Sequence, residues 1–158
     1  MTPELAQGVA FFVVFLFSTT LHEAGHAWAA LKGGDPTAYL GGQVSLDPVP
    51  HIRREPFGML ILPLITSVTM GWPFGYASAP YDIRWARTHP RRAALMALAG
   101  PAANLALLLL AFIALRVGAS MEIFVPPERA GFGMLTHTEA SAAWDAAGRL
   151  LSIVFSLN

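Results

Sequence analysis

Ser18-Thr19-Thr20-Leu21-His22-Glu23-Ala24-Gly25-His26-Ala27-Trp28 is the stretch whose reading decides the fold. It closes the most apolar run of the N-terminal half and holds a His-Glu-x-x-His pattern. On a helix, residues four apart lie one above the other, so the His22 and His26 imidazoles can reach one metal ion. Glu23 is rotated by about 100° from His22, beside that ion, where a carboxylate can hold a water and take its proton. Two neutral nitrogen ligands next to one carboxylate base are the donor set of a zinc hydrolase. The pattern alone is a hypothesis, since two histidines at this spacing also suit the polar face of a soluble helix. The residues upstream argue against that: Gly8-Val9-Ala10-Phe11-Phe12-Val13-Val14-Phe15-Leu16-Phe17 has no polar side chain to make a wet face. Ionisable groups closing such a run are costly in lipid and mark function.

The composition agrees. Of 158 residues, 54% are hydrophobic and 13% charged, against about 25% charged in an ordinary soluble domain. Residues 1–158 are therefore read as a single membrane domain. A formal net charge of +0 gives no bulk electrostatic case for binding nucleic acid. The absence of cysteine removes disulfides, thiolate ligands and cysteine nucleophiles. The N-terminus lacks a basic leader and its apolar run continues into the histidine motif, so it reads as a retained membrane segment.

The expected architecture is an α-helical polytopic membrane protein with about three to four membrane segments and a short β-hairpin after the first helix. The first span runs from about Leu5 to Leu31 and is stopped by Lys32-Gly33-Gly34-Asp35-Pro36. Thr37 to Leu46 reads as two β-leaning pieces around Gly41-Gly42, a hairpin that could offer an edge to an extended substrate or be a plain surface feature. Phe57 to Met70 is apolar, marginally long and interrupted by Pro63; it either crosses or re-enters. A loop rich in aromatics and prolines, Gly71 to Tyr81, follows. The clearest span is Ala93 to Leu115, with Gly100-Pro101 inside it as a kink. A polar loop, Arg116 to Glu139, leads to a last apolar stretch, Ala140 to Leu157. Trp28, Trp72 and Trp85 read as interfacial anchors. Seven of the ten basic residues, Lys32, Arg53, Arg54, Arg84, Arg87, Arg91 and Arg92, fall between the first helix and the Gly-Pro helix. If Phe57–Met70 does not cross, all seven share the cytoplasmic face; if it does, the charge rule gives no answer.

Four motifs occur in order: His22-Glu23-Ala24-Gly25-His26, Asp47-Pro48-Val49-Pro50-His51, Gly71-Trp72, and Leu98-Ala99-Gly100-Pro101-Ala102-Ala103-Asn104. This combination resembles the site-2 protease family of intramembrane zinc metalloproteases, in its short prokaryotic form. The resemblance implies His22 and His26 as zinc ligands, Glu23 as the catalytic general base, and Asn104 as a catalytic amide facing substrate or oxyanion. It implies a multi-pass protein of the cell (inner) membrane that cleaves transmembrane protein substrates within the lipid bilayer, with Zn2+ as cofactor. His51 matches a family histidine of less certain role, and Asp47 stands where the family has Asn. The family's third ligand, an Asp in a Leu-Asp-Gly type motif, has no counterpart up to Asn158, so the chain is expected to be incomplete at that end. The alternative is a non-proteolytic membrane metal-binding or scaffold protein lacking the third zinc ligand.

Overall fold

The computed structural model describes residues 2–158, and in them the chain is helical: α1 (Pro3–Gly33), α2 (Thr37–Leu40), α3 (Pro48–Arg54), a π-helical turn (Phe57–Ile61) running into α4 (Leu62–Met70), α5 (Ile83–Thr88), α6 (Pro90–Ser120) and α7 (Ala142–Leu157). The central element is α1, against which α4, α6 and α7 all pack. Its small residues let the others come close. A Cβ at Gly25 would meet the Ala99 carbonyl of α6 at 3.0 Å, and one at Gly8 would meet the Ser67 carbonyl of α4 at 2.7 Å. Both are close backbone approaches that a side chain would wedge apart. Phe11, Val14 and Ile153 form a buried cluster between α1 and α7, and Ala30, Trp85 and Met96 form another where α1 meets α5 and α6.

Among the described residues, only α1 and α6 are long and apolar enough to cross a membrane. The expectation of three to four spans is not supported: Phe57–Met70 is a shorter apolar helix, and α7 has 16 residues. The path of the former is informative. It descends along α1 to Ser67, beside Gly8, and Trp72 packs on Phe11 with ring centroids 5.4 Å apart. The chain then returns extended, with Phe74 N–H donating to Thr66 Oγ1 at 2.8 Å and Tyr76 N–H to the Gly58 carbonyl at 3.1 Å. It ends at Asp82, whose N–H donates to Asp35 Oδ2 at 2.8 Å, just past the end of α1. The segment thus dips along α1 and comes back to the end from which it left.

The β-hairpin at Thr37–Leu46 is absent; no named strand forms among the described residues. The reason is local. Gly34, at φ 98°, takes the left-handed conformation that ends α1. Asp35 Oδ1 then accepts from Thr37 N–H at 3.0 Å and from the Thr37 hydroxyl, starting a helical turn before a strand can pair. Asp47 also has a capping role, its carboxylate accepting from Val49 N–H at 2.9 Å at the start of α3. Asp and Asn serve equally there, which accounts for the departure from the family's Asn. Trp85 is buried and donates from its indole N–H to the Gly33 carbonyl at 3.0 Å, so it locks α5 to α1 and is no interfacial anchor.

Candidate metal centre

His22, Glu23 and His26 converge about two-thirds of the way along α1, each offering a donor atom within 4.8 Å of the others. The two imidazoles meet edge to face, their Nε2 atoms 3.0 Å apart. Two nitrogens on one tetrahedral cation, each at about 2.0–2.1 Å from it, stand a little over 3 Å apart. The observed separation therefore suits a shared ion.

The facing wall is α6. His26 Nδ1 lies 2.7 Å from the Met96 carbonyl. A carbonyl can only accept, so Nδ1 carries the proton and Nε2 keeps its lone pair for a cation. Gly100 stands opposite the donors: a Cβ there would lie 2.6 Å from His22 Nε2 and closer still to His26 Nε2. A side chain at position 100 would fill the space a cation needs. Pro101 follows within a continuous helix. Lacking an N–H, it leaves the carbonyl of Ala97, which lines the same cavity as the two histidines, without its helical donor.

Glu23 is buried, and its Oε2 has no hydrogen-bond partner among the described residues. The same is true of His22 Nδ1 and Asn104 Oδ1. Buried polar atoms normally find partners, and orphans clustered in this way mark a place built for an ion, water or substrate. Asn104 lies one helical turn beyond Gly100 and shares a cavity of about 320 Å³ with His22 and Glu23. A second cavity, about 410 Å³, opens on the other side of the donors. All four sequence-expected site residues are thus brought together.

His51 is not part of this group. It is buried, with Nε2 3.1 Å from the Ser45 carbonyl, and ties down the loop before α3. Asp145, on α7, pairs with Arg149 at 2.8 Å and takes no part in the centre. Sequence reasoning missed the extended segment Tyr76–Ala79. Tyr76 and Ser78 use one edge of it for the protein: Arg54 Nε donates to the Ser78 carbonyl at 3.1 Å, and the Ser78 hydroxyl donates to Glu55 Oε1 at 2.7 Å. Ala77 and Ala79 alternate with them, make no backbone hydrogen bond among the described residues, and line the cavity with His22 and Glu23. The one sequence signal for this segment was the Gly75 and Pro80 that flank it, which mark irregular chain without saying what it borders.

With this geometry in view, known relatives become informative. The chain is 33% identical over 103 residues to "Putative zinc metalloprotease YwhC" of Bacillus subtilis, covering 65% of this chain and 43% of that protein. It is 37% identical over 122 residues to "Putative zinc metalloprotease Rip2" of Mycobacterium tuberculosis, covering 72% and 45%. These homologues are of the site-2 protease family, and the chain is similar to them over 65–72% of its length. A Rip2 of Mycolicibacterium smegmatis is 33% identical over 105 residues, covering 65% of this chain. The chain spans less than half the length of these site-2 protease relatives. No family model matches it, and no solved structure matches it significantly.

Proposed function

We propose that this chain carries the catalytic core of a zinc-dependent intramembrane endopeptidase that cleaves transmembrane protein helices. The observation that carries the reading is the pair of Nε2 atoms 3.0 Å apart, facing the side-chain-free Gly100. His22 and His26 would hold the zinc. When bound, zinc supplies Lewis acidity that polarises a peptide carbonyl and acidifies a water. Glu23 takes the proton of the attacking water and holds it until the leaving amine requires it. The Met96 carbonyl keeps the His26 ring turned with its lone pair inward. Asn104 faces the same cavity, where its amide can donate to the oxygen of the scissile carbonyl as charge develops there. The resemblance implies a third ligand, an Asp, on a later membrane helix of the family. Asn158 Nδ2 donates to Ser18 Oγ at 3.0 Å, one turn from His22, so α7 leads towards the centre.

The extended segment supports the substrate class. A helical substrate shields its carbonyls within its own hydrogen bonds, so it must unwind to be cut. The open N–H and C=O groups of Ala77 and Ala79 can pair with the unwound strand beside Glu23. Irregular backbone at membrane depth is tolerated where it lines a wet cavity, which is the water supply that hydrolysis needs. The basic residues at the mouth of the re-entrant segment support a cytoplasmic mouth in a protein of the cell (inner) membrane.

The alternative, a metal-binding or scaffold protein without proteolysis, is favoured by one observation: among the described residues the cluster's only carboxylate is Glu23. Catalytic zinc normally uses three protein ligands, and spending Glu23 as a ligand would leave no base. The purified chain in detergent, given a labelled transmembrane peptide, separates the two. Cleavage lost in Glu23→Gln with zinc retained at one per chain is the expected result. Cleavage undiminished in that variant, or zinc bound without any cleavage by the parent chain, overturns the protease reading.

A further inference from the structure

A cavity of about 780 Å³ lies at the opposite end of α1 from the metal centre. Gln7, on its wall, is fifteen residues before His22, about 22 Å along the helix axis, so the cavity is a separate site. Its floor is apolar, formed by Ala6, Ala10, Phe11 and Ile153. One wall is an aromatic ladder in which Trp72 packs on Phe11 at 5.4 Å and on Phe132 at 5.0 Å. Phe132 sits at the tip of a tight turn closed by reciprocal hydrogen bonds between Gly131 and Met134, and it is 68% exposed. Two guanidinium groups, Arg129 and Arg149, also line the cavity. Arg149 gives only its Nε to Asp145, at 2.8 Å, leaving its terminal nitrogens for another acceptor. Arg129 makes no ion pair or side-chain hydrogen bond among the described residues, and the exposed acids Glu4 and Glu128 lie outside the lining.

We propose that this cavity binds one anionic phospholipid, its phosphate held by Arg129 and Arg149 and the upper part of an acyl chain lying on the apolar floor. The guanidinium fork matches a phosphate in shape and charge. The volume falls in the range of pockets that enclose a small organic ligand. The cavity opens beside the first turns of α1, a helix long and apolar enough to cross a membrane, with aromatic side chains of the kind that favour the headgroup layer. A soluble anion would account for the arginines but not for the apolar floor and aromatic wall, so the occupant is a lipid.

The test uses the full chain in a neutral detergent, loaded with dihexanoyl phosphatidylglycerol or dihexanoyl phosphatidylcholine, and counts retained lipid by native mass spectrometry. Phosphatidylglycerol should be retained several-fold better than phosphatidylcholine. Arg129→Gln should weaken that preference, and Arg129→Gln with Arg149→Gln should abolish it. The Arg149–Asp145 pair lies at the surface, with Arg149 exposed and Asp145 partly so, and adds little to stability; matched circular dichroism checks that the variants fold. Arg87→Gln with Arg91→Gln, at the other end of the molecule, should leave the preference intact. Equal retention of the two lipids overturns the proposal, as does a preference that survives in the double variant. So does full displacement by inorganic phosphate at the same concentration, or an equal loss in the Arg87/Arg91 variant, which would reduce the effect to a simple anion site or to bulk charge.

Discussion

At the scale of single residues, the centre depends as much on an absent side chain as on those present. His22 and His26 are set one turn apart by α1, but their nitrogens can share an ion only because α6 presents Gly100 to them. Gly100→Ala should therefore cut zinc occupancy at least tenfold while the protein stays folded, as elemental analysis of the purified variant would show; an alanine variant with full zinc would mean the ion does not sit there. On the proposed mechanism, Glu23→Gln removes the proton acceptor but little volume. A general base contributes about 10²–10⁴-fold to rate, so cleavage should fall by that factor with zinc content unchanged. The His-Glu-x-x-His pairing was legible from spacing alone. The Met96 carbonyl was not, because any backbone oxygen of a facing helix looks the same in a sequence until the register of packing is known.

Among the elements, the junction between α1 and α5 controls where the extended segment ends. Asp35 is buried, and burial opposes its charge; even so, hydrogen bonds from Thr37 and the Asp82 N–H hold its carboxyl below the usual carboxylate range. A value depressed by folding means that its contribution is complete above the unfolded value of about 3.9 and is lost as pH falls through the lower folded value. Asp35→Ala should cost about 1–3 kcal/mol, the penalty for leaving buried donors unpaired. The gap in melting temperature between the parent chain and Asp35→Asn should be wide at pH 7 and close as the pH drops well below 4. A gap that stays constant over that range would contradict the assigned role. Asp35 is also what defeated the hairpin expected at Thr37–Leu46: an Asx-type turn there outcompetes the β-leaning residues that follow it.

For the whole molecule, the decisive feature is that the chain after Phe57–Met70 runs back, through Phe74 and Tyr76 to Asp82, to the end from which that helix left. Arg53 and Arg87 flank it in sequence and should lie on one side of the membrane, with Glu122, past the far end of α6, on the other. The chain has no cysteine, so single cysteines can be placed at each position and labelled with an impermeant maleimide. Arg53→Cys and Arg87→Cys should react from the same side of inverted vesicles, and Glu122→Cys from the opposite one. Labelling of the first two from opposite sides would mean that the segment crosses.

The sequence by itself picked out His22, Glu23 and His26 as a candidate donor set, marked the two long apolar helices and carried the family resemblance, because each rests on local periodicity or on a motif read within one helix. Tertiary structure alone decided the rest. The topology turned on a re-entrant path that an apolar run of marginal length cannot specify, since hydropathy records burial but not direction. The open edge beside Glu23 arises from Ala77 and Ala79, whose side chains carry no chemistry. Their backbone groups matter only because Gly58 and Arg54 occupy the other edge, an arrangement that exists once the chain has folded back on itself.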